Sequence, residues 1–357
     1  MSTPRRAVLR AWADTPLEAL EQHLVLEAQP RPEPSGDEVV VAVRAASVGW
    51  VDLVMASGHY QHAPTPPYVP GMEWSGDVVA VGPEVERWRP GDRVYADGLL
   101  TGPRSSGPHQ GWGGLAAWTL ARERSLRRVP DTWSHDEAAA FLGSYETAWH
   151  GLVARGRLQA GETVLIHGAS GATGLAAVHL AKALGARVIA TGRTPEKNAV
   201  VQAEGADHVL PTTDFVQAVR DLGGADVVWD GVGGAVTTPS LRAARFGARI
   251  LLIGWASTPL IGRSRGRGGG TPNQIPTNLV LMKSLDVLGC PAVISAEKDP
   301  TLRPARQAGL DALVAAGTLR PRVARTYAFD DLLEAFRAKW SSQLVGAHVV
   351  HPLPPGG

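Results

Sequence analysis

One cysteine, Cys290, stands in the whole chain of 357 residues. That count excludes an intramolecular disulfide and any structural zinc site built on several thiolates. Long apolar runs are lacking too: nowhere do about 18 apolar residues follow one another, the length a membrane-crossing helix needs. The amino-terminal stretch MSTPRRAVLRAWADTPLEALEQ carries arginines with no apolar segment of about 7 to 15 residues behind them, so a cytoplasmic location is expected. Nor does charge of either sign prevail. Lys and Arg number 35 against 34 Asp and Glu, a net charge of +1, which gives no electrostatic basis for gripping nucleic acid or a membrane surface. What is there is 44% apolar and 19% charged residues, the balance of a globular chain long enough for two domains, each with its own core.

The most informative stretch is TVLIHGASGATG, residues 163 to 174. Its apolar start suits a buried parallel strand, and the glycine turn leads straight into the helical pattern LAAVHLAKALG. A second strand, ARVIATG, follows at 186 to 192, completing a βαβ unit of the span that a dinucleotide-binding fold uses. Gly171 lets the backbone approach a pyrophosphate, Gly174 lets the helix pack closely on the strand, and the helix N-terminus favours the negative charge. Ala169 stands where the usual first glycine of this fingerprint would be. At the end of the second strand, where an NAD-preferring site carries Asp or Glu, the chain has Gly192, Arg193 and Thr194, with Lys197 close behind. This predicts NADPH, with Arg193 and Lys197 pairing with its 2′-phosphate and Thr194 adding a hydroxyl.

Before this unit, EVVVAVRAASV (38 to 48), GMEWSGDVVAVG (71 to 82) and RPGDRVYA (89 to 96) read as short strands punctuated by Gly and Pro, the pattern of a compact β-barrel. Prolines 64, 66, 67 and 70 exclude a long helix between the first two. TGPRSSGPHQGWGG (101 to 114) is a long loop, either a lid over a site or a mobile excursion. Ser134 and Glu137 form a capping box that opens a helical region. Beyond residue 163 strands and helices alternate through ADVVWD (225 to 230), GARILLIGW (247 to 255) and SLDVLG (284 to 289), as in a doubly wound parallel sheet. RSRGRGGG (263 to 270) reads as a basic solvated loop.

In its order of motifs the chain resembles the medium-chain dehydrogenase/reductase superfamily, specifically the zinc-free branch of quinone oxidoreductase-like and enoyl reductase-like enzymes. SVGWVD, SGHYQHAPTPPYVPGMEWSG, RPGDRV, DEAAAFLGSYETAWHGL, the glycine-turn unit, GADHV, ADVVWDGVGG and GARILLIG carry the resemblance. It implies an α/β architecture: a GroES-like β-barrel catalytic domain over residues 1 to 133, to which 300 to 357 return, and a Rossmann NADPH-binding domain over 134 to 299. The active-site cleft lies between them. Coenzyme contacts are expected from Thr147, Ser170, Gly171, Ala172, Thr173, Gly174, Arg193, Thr194, Lys197, Gly231, Ile253 and Gly254. The zinc ligands of metal-dependent relatives fall on Gly49, Met72 and Gly143, none of which can bind zinc, so no metal is expected. An asparagine common in the branch is replaced by Gly49, and a common lysine by Ala347.

Metal-free hydride delivery suits a quinone or an α,β-unsaturated carbonyl better than an alcohol, whose alkoxide usually needs a Lewis acid. Alternatives are a non-catalytic NADPH-binding relative and an alcohol dehydrogenase with an unrecognised metal site. Tyr60, in SGHYQ, matches a tyrosine that serves enoyl reductases as proton donor or enolate partner and that in quinone reductases borders the nicotinamide; packing under the prolines is the other reading. Glu73 is either a carboxylate behind the former metal position or a buried strand acid paired with an arginine. Trp50 and Trp255 are candidates for walling the substrate cleft, with core packing as the alternative. His150 and His208 read as structural. The apolar edge strand SLDVLG predicts a homodimer, as is common in the family.

Overall fold

The structure, a computed structural model, describes residues 3–105, 107–261 and 272–353. The basic stretch 263–270 lies outside them. Six strands make one parallel sheet in the spatial order His208–Pro211, Arg187–Gly192, Thr163–His167, Ala225–Asp230, Ala244–Leu252, Asp286–Gly289. Thr163–His167 is central and all five of its residues are buried, because helices cover both faces and the run of apolar side chains serves each. Strand order reverses between Thr163–His167 and Ala225–Asp230, and a crevice for a ligand opens at the carboxyl ends there.

The strand expected over 247 to 255 starts earlier and stops at Leu252. The amides of Ile253 and Gly254 turn to the Asp230 carbonyl (2.9 and 3.4 Å), which takes Trp255 out of the sheet.

A second, mainly antiparallel sheet runs Val323–Ala328, Ala347–His351, Glu38–Ser47, Glu73–Val81, Arg93–Ala96, Leu126–Arg128, and Trp118–Arg122 also pairs with Glu38–Ser47. Register shifts between Val40 and Val41 and between Val43 and Ala45 bend its two longest strands around a core of Val39, Val41, Val43, Trp74, Leu126 and Phe336. Two features differ from expectation. Arg5–Leu9 pairs with Leu24–Ala28, a small sheet hidden in the sequence by its short, charge-interrupted strands. The helix Leu302–Ala315 packs Leu310 in the cluster that holds Val164 and Leu180, so the chain rejoins the antiparallel sheet only at Val323. The loop from 101 is anchored rather than open: Thr101, Ser105 and His109 are buried, and His109 Nε2 meets Glu38 Oε1 at 3.0 Å.

The helix His135–Ala139 starts with the expected capping box. Glu137 N–H donates to Ser134 Oγ (3.2 Å) and Ser134 N–H donates to the Glu137 carboxylate (2.8 Å). Ser134→Ala should lower unfolding free energy by about 1 kcal/mol, read from the urea midpoint at constant m-value.

Candidate active site

At the coenzyme end of the crevice, the turn after Thr163–His167 is made by Gly168, whose φ of +73° belongs to the left-handed region. It supplies the tight turn expected of the position that Ala169 occupies. A β-carbon on Gly174 would lie 2.1 Å from the Gly168 carbonyl oxygen, so the helix Ala172–Ala183 reaches its place only with glycine there. Gly171 is different. Its φ of −76° suits any residue, and among the described residues beyond its chain neighbours a β-carbon would meet only the Gly168 oxygen, at 3.5 Å. Protein packing does not demand glycine at 171; the space in front of it is open for a ligand.

Gly231 and Gly254 border the same crevice, and among the described residues, chain neighbours aside, no atom lies closer than 3.5 Å to a β-carbon built on either. The turn carrying Gly231 is held by the buried Asp230 carboxylate, which accepts from the amides of Val232 (3.1 Å) and Gly233 (2.7 Å) and from the Thr237 hydroxyl (2.6 Å). Thr147 Oγ1 donates to the Gly143 carbonyl (2.8 Å), which leaves it acceptor capacity only. The Ser170 carbonyl is taken by Gly346 N–H at 3.1 Å.

Past the second strand, Lys197 Nζ donates to the Ser342 carbonyl (2.8 Å), and burial, aided by repulsion from Arg193, holds its ammonium below the usual lysine range. Neither Lys197 nor Arg193 forms an ion pair with a carboxylate among the described residues. Thr194 caps the helix Pro195–Ala203 without using its hydroxyl for a capping bond. A β-carbon on Gly192 would lie 1.7 Å from Asn198 Oδ1, so any side chain at that position requires Asn198 to move. Asn198 was not singled out by sequence; only the fold brings it over Gly192.

Across the cleft, the three positions matched to metal ligands do converge. A β-carbon on Gly49 would lie 3.6 Å from Met72 Cε, and one on Gly143 would lie 2.7 Å from Oε1 of Glu73, the residue after Met72. None of the three offers a nitrogen, thiolate or carboxylate, and the described residues contain no group of three or more His, Cys, Asp or Glu placed to hold a metal ion. Charge gathers here instead. Asp52, buried, accepts from the amides of Gly49 and Gly71 (3.0 Å each), and burial pushes it up to about 6 despite these bonds. Glu73 accepts from Gly143 N–H at 2.7 Å; burial raises it while Arg104 and Lys339 oppose the rise. Lys339 is pushed down to about 8 by burial, against the pull of Glu73 and Asp52.

Tyr60 packs beside Met55, Ala63 and Met72, edge-on to His62 with ring centroids 5.8 Å apart. Burial raises its hydroxyl, and the nearby Arg104 guanidinium works the other way. His62 Nε2 lies 3.6 Å from Glu297 on the helix Ala292–Lys298. The two tryptophans are not brought together. Trp50 stacks on Trp340 (5.2 Å, 8°) against the barrel core, whereas Trp255 is 48% exposed beside the turn of Gly233. His150 and His208 each face an arginine, Arg306 (3.2 Å) and Arg187 (2.7 Å). Asp52, Arg104, Lys339 and Glu297 escaped sequence reasoning, because no local pattern links residues so far apart.

A barrel and a doubly wound sheet meeting at such a cleft define an oxidoreductase class. Residues 35–131 match the family model of the alcohol dehydrogenase GroES-like domain, and 172–303 match that of the zinc-binding dehydrogenases. A quinone oxidoreductase-like protein 2 homolog of Nematostella vectensis is 33% identical over 321 residues, covering 88% of this chain and 81% of that protein. The quinone oxidoreductase of Thermus thermophilus, whose structures include a complex with NADPH, is 30% identical with a TM-score of 0.77, covering 97% of this chain and 99% of that one. A mycobacterial protein solved with NADPH has a TM-score of 0.79 at 27% identity, covering 98% and 100%. The chain belongs to the medium-chain dehydrogenase/reductase superfamily, in its quinone oxidoreductase-like branch.

Gly171 and Gly174 separate ligand space from packing. Gly174→Ala should cost about 1–3 kcal/mol of stability through overpacking. Gly171→Ala should change stability by less than about 0.5 kcal/mol while weakening dinucleotide binding roughly tenfold or more, or about 1.4 kcal/mol. Denaturant melts and fluorescence titration with NADPH measure the two effects.

Proposed function

We propose that this protein is an NADPH-dependent, metal-independent oxidoreductase acting on a quinone or an α,β-unsaturated carbonyl compound. The observation that carries the coenzyme choice is the pair Arg193 and Lys197, two neighbouring cations with no carboxylate partner among the described residues, at the end of the second parallel strand. The residues present fit the dinucleotide. Open space at Gly171, Gly231 and Gly254 would admit its backbone, the N-terminus of Ala172–Ala183 would hold the pyrophosphate, and the two cations would pair with the 2′-phosphate. When bound, NADPH supplies a hydride. The chain's own residues hold it at the cleft, and the buried charges around Glu73 fix the opposite wall.

Electron-poor acceptors fit this site better than alcohols. The site's matched metal positions are Gly49, Met72 and Gly143, which provide no donor set for a Lewis acid, whereas a quinone or enone needs only hydride and a mild acid. Tyr60 is the candidate acid. A non-catalytic NADPH-binding role would leave wild-type protein inert toward quinones, enones, 2-alkenals and enoyl thioesters alike.

No described helix is long and apolar enough to cross a membrane. We place the protein in the cytoplasm as a homodimer acting on small molecules. Asp286–Gly289 lies at the sheet edge, and the preceding helix leaves Leu281 80% and Met282 73% exposed, an apolar strip that a second copy would cover.

Each charge-assisted bond to the 2′-phosphate contributes about 1.5–3 kcal/mol, so Arg193→Ala should raise KM for NADPH roughly 10- to 100-fold and leave NADH nearly unchanged. Equal losses with both coenzymes would count against the assignment. Tyr60→Phe should alter quinone turnover by no more than a few-fold, because water can protonate a hydroquinone anion. For an alkene it should lower kcat about 10²-fold; a wild-type alkene rate in that variant would leave Tyr60 without a chemical role. Light scattering at micromolar concentration should give the mass of two chains, and a monomer mass would rule out the edge-strand dimer.

A further inference from the structure

We propose that Arg104 is a catalytic residue, its guanidinium holding the carbonyl oxygen of the substrate as negative charge develops there. This rests on the reading of the site as an NADPH-dependent reductase of quinones or unsaturated carbonyls.

Arg104 stands on the loop that follows Arg93–Ala96, next to the buried Thr101 and Ser105. Its Nη2 lies 3.3 Å from a β-carbon built on Gly98, a point itself 2.8 Å from the Met72 carbonyl oxygen. The cation therefore reaches the neighbourhood of Met72, one of the three positions matched to metal ligands. From there it acts on Tyr60, Asp52 and Glu73.

A purely structural arginine in such a place would close an ion pair. Arg104 forms none among the described residues, and its Nε is buried without a hydrogen-bond partner. A guanidinium has five donors in a planar fork, and leaving a buried one unpaired is unfavourable unless a ligand completes it. The nearby carboxylates are already engaged elsewhere: Asp52 with the amides of Gly49 and Gly71, Glu73 with that of Gly143. They stabilise the cation at a distance without occupying its donors. One bond from the guanidinium goes to the Tyr60 hydroxyl, and the rest of the fork remains for an oxygen.

The chemistry needs such a group. As the unsaturated carbonyl accepts hydride at its β-carbon, the C=C electron pair shifts to make an enolate, with the charge on oxygen. Arg104 donates hydrogen bonds to that oxygen. The α-carbon then takes a proton from the Tyr60 hydroxyl, and solvent restores the proton to Tyr60. For a quinone the same oxygen charge develops, and water supplies the proton. Preorganised donors aimed at a developing oxyanion are worth about 10²- to 10³-fold in rate. Arg104 thus serves both substrate classes, whereas Tyr60 serves only one.

The test compares wild type, Arg104→Met, Arg104→Lys and Tyr60→Phe, following NADPH oxidation with a benzoquinone and with an enone. NADPH affinity is measured separately by fluorescence. Arg104→Met should lower kcat about 10²-fold for both acceptors, with the NADPH Kd of the folded variant unchanged. Arg104→Lys should fall between the two, and millimolar guanidinium should restore part of the rate to Arg104→Met alone. A kcat within about threefold of wild type in folded Arg104→Met, or a loss explained wholly by weaker NADPH binding, would overturn the role. If Arg104→Met does not fold, Arg104→Lys decides: full activity with both acceptors rejects the planar-fork assignment and a reduced kcat supports it. A wild type that binds NADPH but reduces neither acceptor would remove the reductase reading and this inference with it. An active wild type with an indifferent Arg104 would remove the inference alone.

Discussion

Glu73 is the residue on which the two halves of the molecule converge. It begins a barrel strand, yet its carboxylate takes the amide of Gly143, at the start of a helix that packs in the core beneath the parallel sheet. A carboxylate cannot remain charged in that surrounding without cations, and Arg104 and Lys339 come from a loop and a helix far away in sequence to supply the field. Asp52 brings in a fifth segment through its two amide bonds. The floor of the cleft is thus a balance of buried charges, and removing one member leaves the others without compensation.

What the sequence disclosed and what it withheld follow a physical line. The glycine turn, the capping box of Ser134 and Glu137, and the strands around it are local. Their causes lie within a few residues, and the fold repeats them, with the tight turn shifted from the expected position to Gly168. The barrel's return could be expected, but its start at Val323 depends on Leu310 finding a place under the other sheet. Arg104, Lys339 and Asn198 meet their partners only after long-range closure, and nothing in their own stretches marks them. Trp50 illustrates the same limit: whether an aromatic borders a cleft or packs against Trp340 depends on a helix from the far end of the chain.

A second set of charges joins the halves at another level. Arg303 donates to Asp97 (2.7 Å) and to Glu146 (3.0 Å), while Gln307 also reaches Glu146 (3.0 Å). The helix Leu302–Ala315 thereby clips the end of a barrel strand to the helix that begins beside Glu73. Close packing supports the clip, since a β-carbon on Gly309 would lie 2.1 Å from Trp149. Cation and carboxylate are both mostly withdrawn from water here, so the pairing is specific in geometry rather than a screened surface contact.

The hydrogen bond from Gly346 to the Ser170 carbonyl, with Gly171 bridged to Gly346, ties the glycine-rich turn to the chain just before the barrel strand Ala347–His351. A rotation of the two sheets that preserves this bond has its axis through the turn. Near a fulcrum displacement is small, and it grows with distance along the lever. Such a motion would leave the pyrophosphate end of the crevice almost still and give its largest travel farther out, where His62 and Glu297 face each other from opposite sides. The same bond that completes a small piece of backbone pairing would thus serve a rotation of that kind as its fixed point.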